Sequence, residues 1–428
     1  MRETPAGAAQ VSRSRMEYLP HLSRRERDRR WAGLREGMRA AQLDAVLVHG
    51  SDVFMGYGMA NFRYLTQIGG HHGGFALFGH DGPPVIFNAP PHEHHPYNAW
   101  LTAQDWVDDV RPNRGVPGIV DAIQARKLER GRIGIVGYRT VLAQVTLPYP
   151  QYEALREALP QAQFTDATHI PEGLRLVKSS EELALLEAAG RVAERVIQSL
   201  IHTARPGVRE NEVMAEMLHT SVASGGDVQP FIMLTSGNPE RSEPGRRRYL
   251  LHGIAAPNAP TARPLERGDL VICEFHCSVA GYLSAAEFSL SIGPASSPVR
   301  RIHDAEVACL TAALPHFRTG GRVGDLLEAM RRPCREAGLD YLELGFHGHG
   351  LASPEYPTVV YKPSEGAMGG AGLLDYRLQT SMVFGTNIDL FDPGWKDDVG
   401  LMFGDMVVVT PDGGRTMCHV PLELPEVG

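Results

Sequence analysis

Acidic and imidazole side chains recur at intervals of two in this chain, and in an extended strand that interval places them on one face. Glu274 and His276 are so related in segment 268–276, Ala285 and Glu287 in segment 281–289, and Asn387 and Asp389 in segment 382–389. His347 and His349 stand in Phe346-His-Gly-His-Gly-Leu351, where flanking glycines let a substrate approach the backbone closely. A carboxylate lining a cleft favours an ammonium, amidinium or guanidinium group. A histidine, with an ordinary pKa of about 6.5, both takes and gives a proton near neutrality. Glu274, His276, Glu287, His347 and Asp389 are therefore candidates for an acid/base or cation site, with a single metal ion on Glu274, His276 and His347 as an open alternative. His71, His72 and His92-Glu-His-His95 look metal-rich but lack the spacing of a tetrahedral site.

The elements that must position these residues divide in two. Segments 268–276 and 281–289 have the rhythm of two strands joined by a tight turn. Ahead of them, Ser179 with Glu182 three residues on forms a capping-box signature for a helix running to about Thr203. A second helix is expected at about 210–224, after the Pro206-Gly207 turn. The first part of the chain shows a helical pattern at 22–42 and a buried strand at 43–49. Asn61-Phe-Arg-Tyr-Leu-Thr66 then leads to strand candidates at 74–78, 84–87 and 132–136. That alternation argues for a small α/β domain, and the breaker cluster Ile170-Pro-Glu-Gly173 marks its end. The expected layout is a disordered tail (1–15), an α/β domain (16–172) and an α+β catalytic domain (173–428).

The bounds are those of an ordinary globular chain: 428 residues, 21% charged and 43% apolar. A formal charge of −8 gives no general attraction to nucleic acid or anionic membrane. No apolar run reaches the roughly 18 residues of a membrane span. Five scattered cysteines, an odd number with no CxxC, point to a reducing cytoplasm.

In order and spacing, segments 268–276, 281–289, 346–351 and 382–389 resemble the pita-bread superfamily of methionine aminopeptidase, Xaa-Pro aminopeptidase (prolidase) and creatinase. Leu174-Arg-Leu-Val-Lys-Ser-Ser-Glu-Glu-Leu183 resembles its domain junction, so the likeness spans nearly the whole chain. It implies a creatinase-type N-terminal domain followed by a pita-bread, methionine aminopeptidase-like catalytic domain. In metal-dependent members two Asp, one His and two Glu hold two adjacent divalent ions. Those positions fall here on Glu274, Ala285, His347, Asn387 and Gly404, which implies a degenerate metal site and no cofactor. Gly281-Tyr-Leu-Ser-Ala-Ala-Glu287 is similar to creatinase, which has Ala at the second Asp position and Glu two residues later, holding a guanidino group. His252 falls in the region of creatinase's proton-shuttling His. Pro354 replaces a second peptidase His, while Glu355 keeps its acidic neighbour. In creatinase-type dimers the partner's N-terminal domain closes over the site, which would bring Phe62, Arg63 and the N-terminal histidines toward substrate.

The resulting expectation is a cytoplasmic, homodimeric, metal-independent, creatinase-like hydrolase of a C–N bond (amide, amidine or guanidino) in a small polar metabolite. His252, Glu287, His347 and Glu355 would be catalytic, with Phe62, Arg63, Glu274, His276, His349, Asn387 and Asp389 binding substrate. Three rivals stand beside it: a metal-dependent Xaa-Pro dipeptidase with altered ligands, a non-catalytic binding protein, and a lyase of a betaine-like substrate.

Overall fold

The computed structural model describes residues 22–50, 58–68, 74–89, 105–137, 147–228, 231–241, 261–358 and 372–428. The chain forms two compact units, Met1–Leu176 and Val177–Gly428.

In the first unit, α1 (Arg24–Ala40) is started by Ser23, whose hydroxyl accepts from the Glu26 amide at 3.2 Å. It buries Trp31, Leu34 and Met38, spaced for one helical face. The strands are β1 (Ala45–Gly50), β2 (Gly74–Gly79), β3 (Val85–Ala89), β4 (Asp109–Pro112), β5 (Arg132–Val136) and β6 (Gln163–Asp166). They make one mixed sheet in the order β4-β3-β2-β1-β5-β6. Ala45 and Leu47 of β1, Ile133 and Ile135 of β5, and Ile119 and Ile123 of a covering helix at 116–125 belong to one buried cluster. Residues 61–66, expected only to lead into a strand, are helical: α2 (Ala60–Thr66) closes on Gln67 in the left-handed region, φ 61°.

The second unit opens with α3 (Ser180–Thr203), which carries the expected capping box of Ser179 and Glu182, and α4 (Glu210–Ala223). A four-stranded sheet follows, built from β7 (Phe231–Gly237), β8 (Leu270–His276), β11 (Ala286–Ile292) and β18 (Glu426–Val427). The small hairpin β9 (Ser278–Val279) and β10 (Tyr282–Leu283) is the turn between β8 and β11. The other sheet has the order β13-β12-β14-β16-β17, from β12 (Asp340–Gly348), β13 (Glu355–Thr358), β14 (Val383–Asp392), β16 (Met406–Val409) and β17 (Gly414–Thr416), with β15 (Lys396–Gly400) paired to β14. Bridges Glu287–Gly404 and Ile388–Phe403 join the sheets where β11 meets the approach to β16. Helices α5 (Ser297–Ala313) and α6 (Val323–Glu336) pack on each other and on β14 and β12. This is the α/β N-terminal domain and pita-bread domain that the sequence implied.

Among the described residues no helix is long and apolar enough to cross a membrane. All five cysteines are buried and unbonded.

Candidate active site

Strand register assembles the site. On β8 and β11 the Cα partners are Glu274 and Glu287. On β12 and β14 they are Glu343 with Asp389, Gly345 with Asn387, and His347 with Gly385. Alternation along each strand then sets Glu343 and His347 on one face of β12, and Asn387 and Asp389 on the same face of β14.

Glu287 ties the two sheets together. Its Oε1 accepts from Asn387 Nδ2 and its Oε2 from the Ile388 amide at 3.3 Å. Its own backbone exchanges two 3.1 Å hydrogen bonds with Gly404. Gly404 sits so close to β14 that a Cβ there would collide with the Thr386 carbonyl oxygen and lie 2.8 Å from Glu287 Oε2. The Glu287 carboxyl therefore fills the space into which a side chain at 404 would begin. Burial pushes the Glu287 carboxyl well above the ordinary range and neighbouring Glu274 and Glu343 add to this, against the bonds from Ile388 and Asn387. Asp389 is raised in the same direction by burial and then by Glu287, Glu343, Glu274 and Glu306.

Three imidazoles line the neighbouring stretch. His276 Nδ1 donates to the Ser284 carbonyl at 2.7 Å, and its Nε2 meets Glu274 Oε1 at 3.1 Å. His349 stacks on His276 at 5.6 Å between centroids and lies 5.8 Å from His347. His349 Nε2 donates to the Leu283 carbonyl at 2.9 Å, leaving Nδ1 a buried lone pair with no hydrogen-bond partner among the described residues. His347 Nδ1 donates to the Gly348 carbonyl at 2.9 Å, which puts the lone pair on Nε2. A Cβ on Gly385 would lie 3.1 Å from both that nitrogen and the Ala285 methyl, so the glycine makes room where the three meet. Burial lowers His347 to about 4, against the upward pull of its bond to Gly348. It lowers His349 further, with His276 and His347 adding to the effect. Both rings are neutral at pH 7.

The remaining expected site residues stand apart from this cluster or are committed to structural bonds. Glu355 is buried and committed: Oε2 accepts from Lys178 Nζ at 3.1 Å, and Oε1 from the amides of Leu351 and Ala352 at 2.9 and 3.1 Å. It braces the turn that follows His349. Phe62 is wholly buried in the core of the first unit and Arg63 is half-buried on the same helix. His252, His71, His72 and 92–95 lie outside the described residues. Glu343 went unnoticed in the sequence, although it stands four residues before His347 on the same strand face.

The C-terminal unit matches the model of metallopeptidase family M24 over residues 184–411, and residues 30–177 match the creatinase/prolidase N-terminal domain. The fold and site define a hydrolase of the pita-bread superfamily, and the chain belongs to metallopeptidase family M24. An Xaa-Pro dipeptidase of Pyrococcus furiosus is 26% identical over 282 residues, covering 65% of this chain and 73% of that protein. One from Lactobacillus helveticus is 26% identical over 284 residues, covering 65% and 70%. The solved Xaa-Pro dipeptidase from Bacillus anthracis superposes with a TM-score of 0.72 at 20% identity, covering 94% of this chain and 100% of that one.

These findings overturn the creatinase-like, metal-independent expectation, and with it the expectation that no cofactor is needed. The proteins this chain is similar to are named for Xaa-Pro peptide hydrolysis and the family for metal. The physical error was to infer the reaction from Ala285, Asn387 and Gly404. Missing ligands report which charges are present, whereas the bond cleaved depends on the whole cleft. The two-ion set of the superfamily is nonetheless not reproduced here: Ala285 and Gly404 offer no donor side chain, and Asn387 offers a neutral oxygen. Asn387 Oδ1 is buried without a hydrogen-bond partner among the described residues. Among those residues no group of three or more His, Cys, Asp or Glu side chains is arranged to hold an ion. The donors present do not fit the superfamily's dinuclear centre as it stands.

Proposed function

We propose that this chain hydrolyses the peptide bond of a short, unblocked Xaa-Pro peptide at a centre whose ligand set is altered from that of its relatives. One observation carries the reading. Partly buried Glu274 and buried Glu287, His347 and Asn387 stand at register-paired positions of four strands, within a stretch matched by the metallopeptidase family. Glu274, the less buried of the pair, supplies the carboxylate that attracts the α-ammonium of a free peptide. Neutral His347 presents Nε2 as an acceptor for a proton of the attacking water. Glu287, held toward its protonated form by burial, is a donor to the departing nitrogen.

The test is release of proline from Ala-Pro, Leu-Pro and Gly-Pro by purified protein. It is run after chelation and after addition of manganese, zinc or iron, with bound metal measured by elemental mass spectrometry. Turnover in at least one condition, lost in Glu287→Gln, is expected. No release from any peptide in any condition would refute the proposal.

A further inference from the structure

Glu274 keeps 15% of its side chain exposed. A glutamate turns about several bonds, so the strand alone does not aim its carboxylate. The residue two places on supplies the missing restraint. His276 Nε2 lies 3.1 Å from Glu274 Oε1, and the imidazole that carries it is itself fixed. Its Nδ1 donates to the Ser284 carbonyl at 2.7 Å. Ser284 is held in turn by Cys277: its amide donates to the Cys277 carbonyl at 2.7 Å, and its hydroxyl accepts from the Cys277 amide at 2.9 Å. The His276 ring packs on two others, His349 at 5.6 Å and Phe231 at 5.4 Å between centroids. His349 is pinned to the Leu283 carbonyl, and Phe231 is the cross-strand partner of His276 on β7. A ring bonded at Nδ1 and packed on two neighbours keeps one orientation, and that orientation sends Nε2 to Glu274. With both nitrogens engaged and the side chain 3% exposed, His276 offers little to a substrate directly. Holding Oε1, it sets where the other oxygen of Glu274 stands.

We propose that His276 is a positioning residue: it holds the Glu274 carboxylate in the arrangement that meets the α-ammonium of a free peptide. Recognition of an unblocked N-terminus then depends on a side chain that does not itself touch the substrate. This rests on the role given to Glu274 above, and not on which bond is cut. A carboxylate already aimed need not be ordered when the ammonium arrives, and ordering a long side chain weakens binding. A ring that only filled space beside Phe231 and His349 could be replaced by phenylalanine without loss, and that contrast supplies the test.

The first measurement is calorimetric binding of leucinamide to the full chain, against isocaproamide, which lacks only the α-amino group. The native protein should prefer leucinamide by about tenfold or more, and Glu274→Gln should erase the preference. His276→Phe keeps a ring in place and should cut the preference by about 3- to 10-fold. His276→Asn keeps a donor for Ser284 but is too short for Glu274, and should do the same should the phenylalanine variant not fold. His276→Gln, whose amide reaches the same carboxylate, should retain most of the preference. The second measurement is Leu-Pro turnover. In His276→Phe KM should rise with kcat little changed, the mark of lost binding, whereas a merely structural defect lowers kcat alone. An ammonium preference that depends on His276, found without proline release, upholds the inference and refutes the peptidase reading. Equal binding of the two amides by the native protein overturns it. So does a preference moved by less than about twofold in both His276→Phe and His276→Asn, or lost equally in His276→Gln.

Discussion

Removing the charge of Lys178 is the sharpest test of how the site is braced. Lys178 Nζ and Glu355 Oε2 are 3.1 Å apart, with side chains only 3% and 5% exposed. Gly350 packs against both: a Cβ there would lie 3.1 Å from each Glu355 oxygen and 3.2 Å from Lys178 Cε. Lys178→Met keeps the stem and deletes the charge, leaving Glu355 buried against the amides of Leu351 and Ala352 without its ammonium partner. Stranding one partner of a buried pair costs about 3–5 kcal/mol. For a unit of this size each kcal/mol moves the midpoint by roughly 2–4 °C, so the second unit should melt about 10 °C lower. Calorimetry of the full chain reads that transition separately if the two units melt apart. Glu355→Gln in the Lys178→Met background should recover much of the loss, because no charge is then left buried. A midpoint lowered by less than about 2 °C in Lys178→Met, or a double variant no better than the single one, would refute the view that Glu355 is structural.

Three further outcomes follow from the same geometry. Asp389 has its folded pKa raised above 3.8, so its contribution is fully present below that value and is lost as pH rises through the folded pKa. Asp389→Asn should therefore stabilise the chain by an amount that grows between pH 4 and pH 8, and melts showing a constant or negative effect would contradict this. His303, buried against Phe403 and lowered to about 4 by burial, works in the opposite sense. Its stabilisation is complete above 6.5 and disappears as pH falls toward 4, amounting to about 3 kcal/mol at most. Urea titrations at pH 7 and pH 4.5 should show His303→Leu flattening that decline. Gly404→Ala should destabilise by about 3 kcal/mol or more, because its methyl must displace the Thr386 carbonyl or the Glu287 carboxyl; wild-type stability would show that the backbone yields freely there.

Much of the fold was legible because local signals agreed with the tertiary solution. Ser179 and Glu182 marked a helix start through hydrogen bonds that form within one turn, and period-two spacing put His276 beside Glu274 and Asp389 beside Asn387. Residues 61–66 misled because Phe62, Tyr64 and Leu65 are buried on most sides of a single short helix, which blurs its period. In the site, Glu343 was readable by counting back from His347 in twos, but the glutamate carried no signal of its own. Other features lay beyond sequence reasoning. That Glu287 fills the space at Gly404 depends on a bridge between distant segments, and that Lys178 neutralises Glu355 depends on chain crossings no local pattern encodes.

The close approach of Gly404 to β14 also bears on how this protein can change over generations. At Ala285 and Asn387 an altered codon would add or exchange atoms at the ends of existing side chains. At Gly404 every codon other than glycine places its first carbon against the main-chain oxygen of Thr386. Placing an acidic residue there requires the two backbones to separate first, which strains the paired hydrogen bonds between Glu287 and Gly404. Any such change passes through a less stable chain, whereas polar groups on the neighbouring strand faces can be exchanged one at a time without moving the frame.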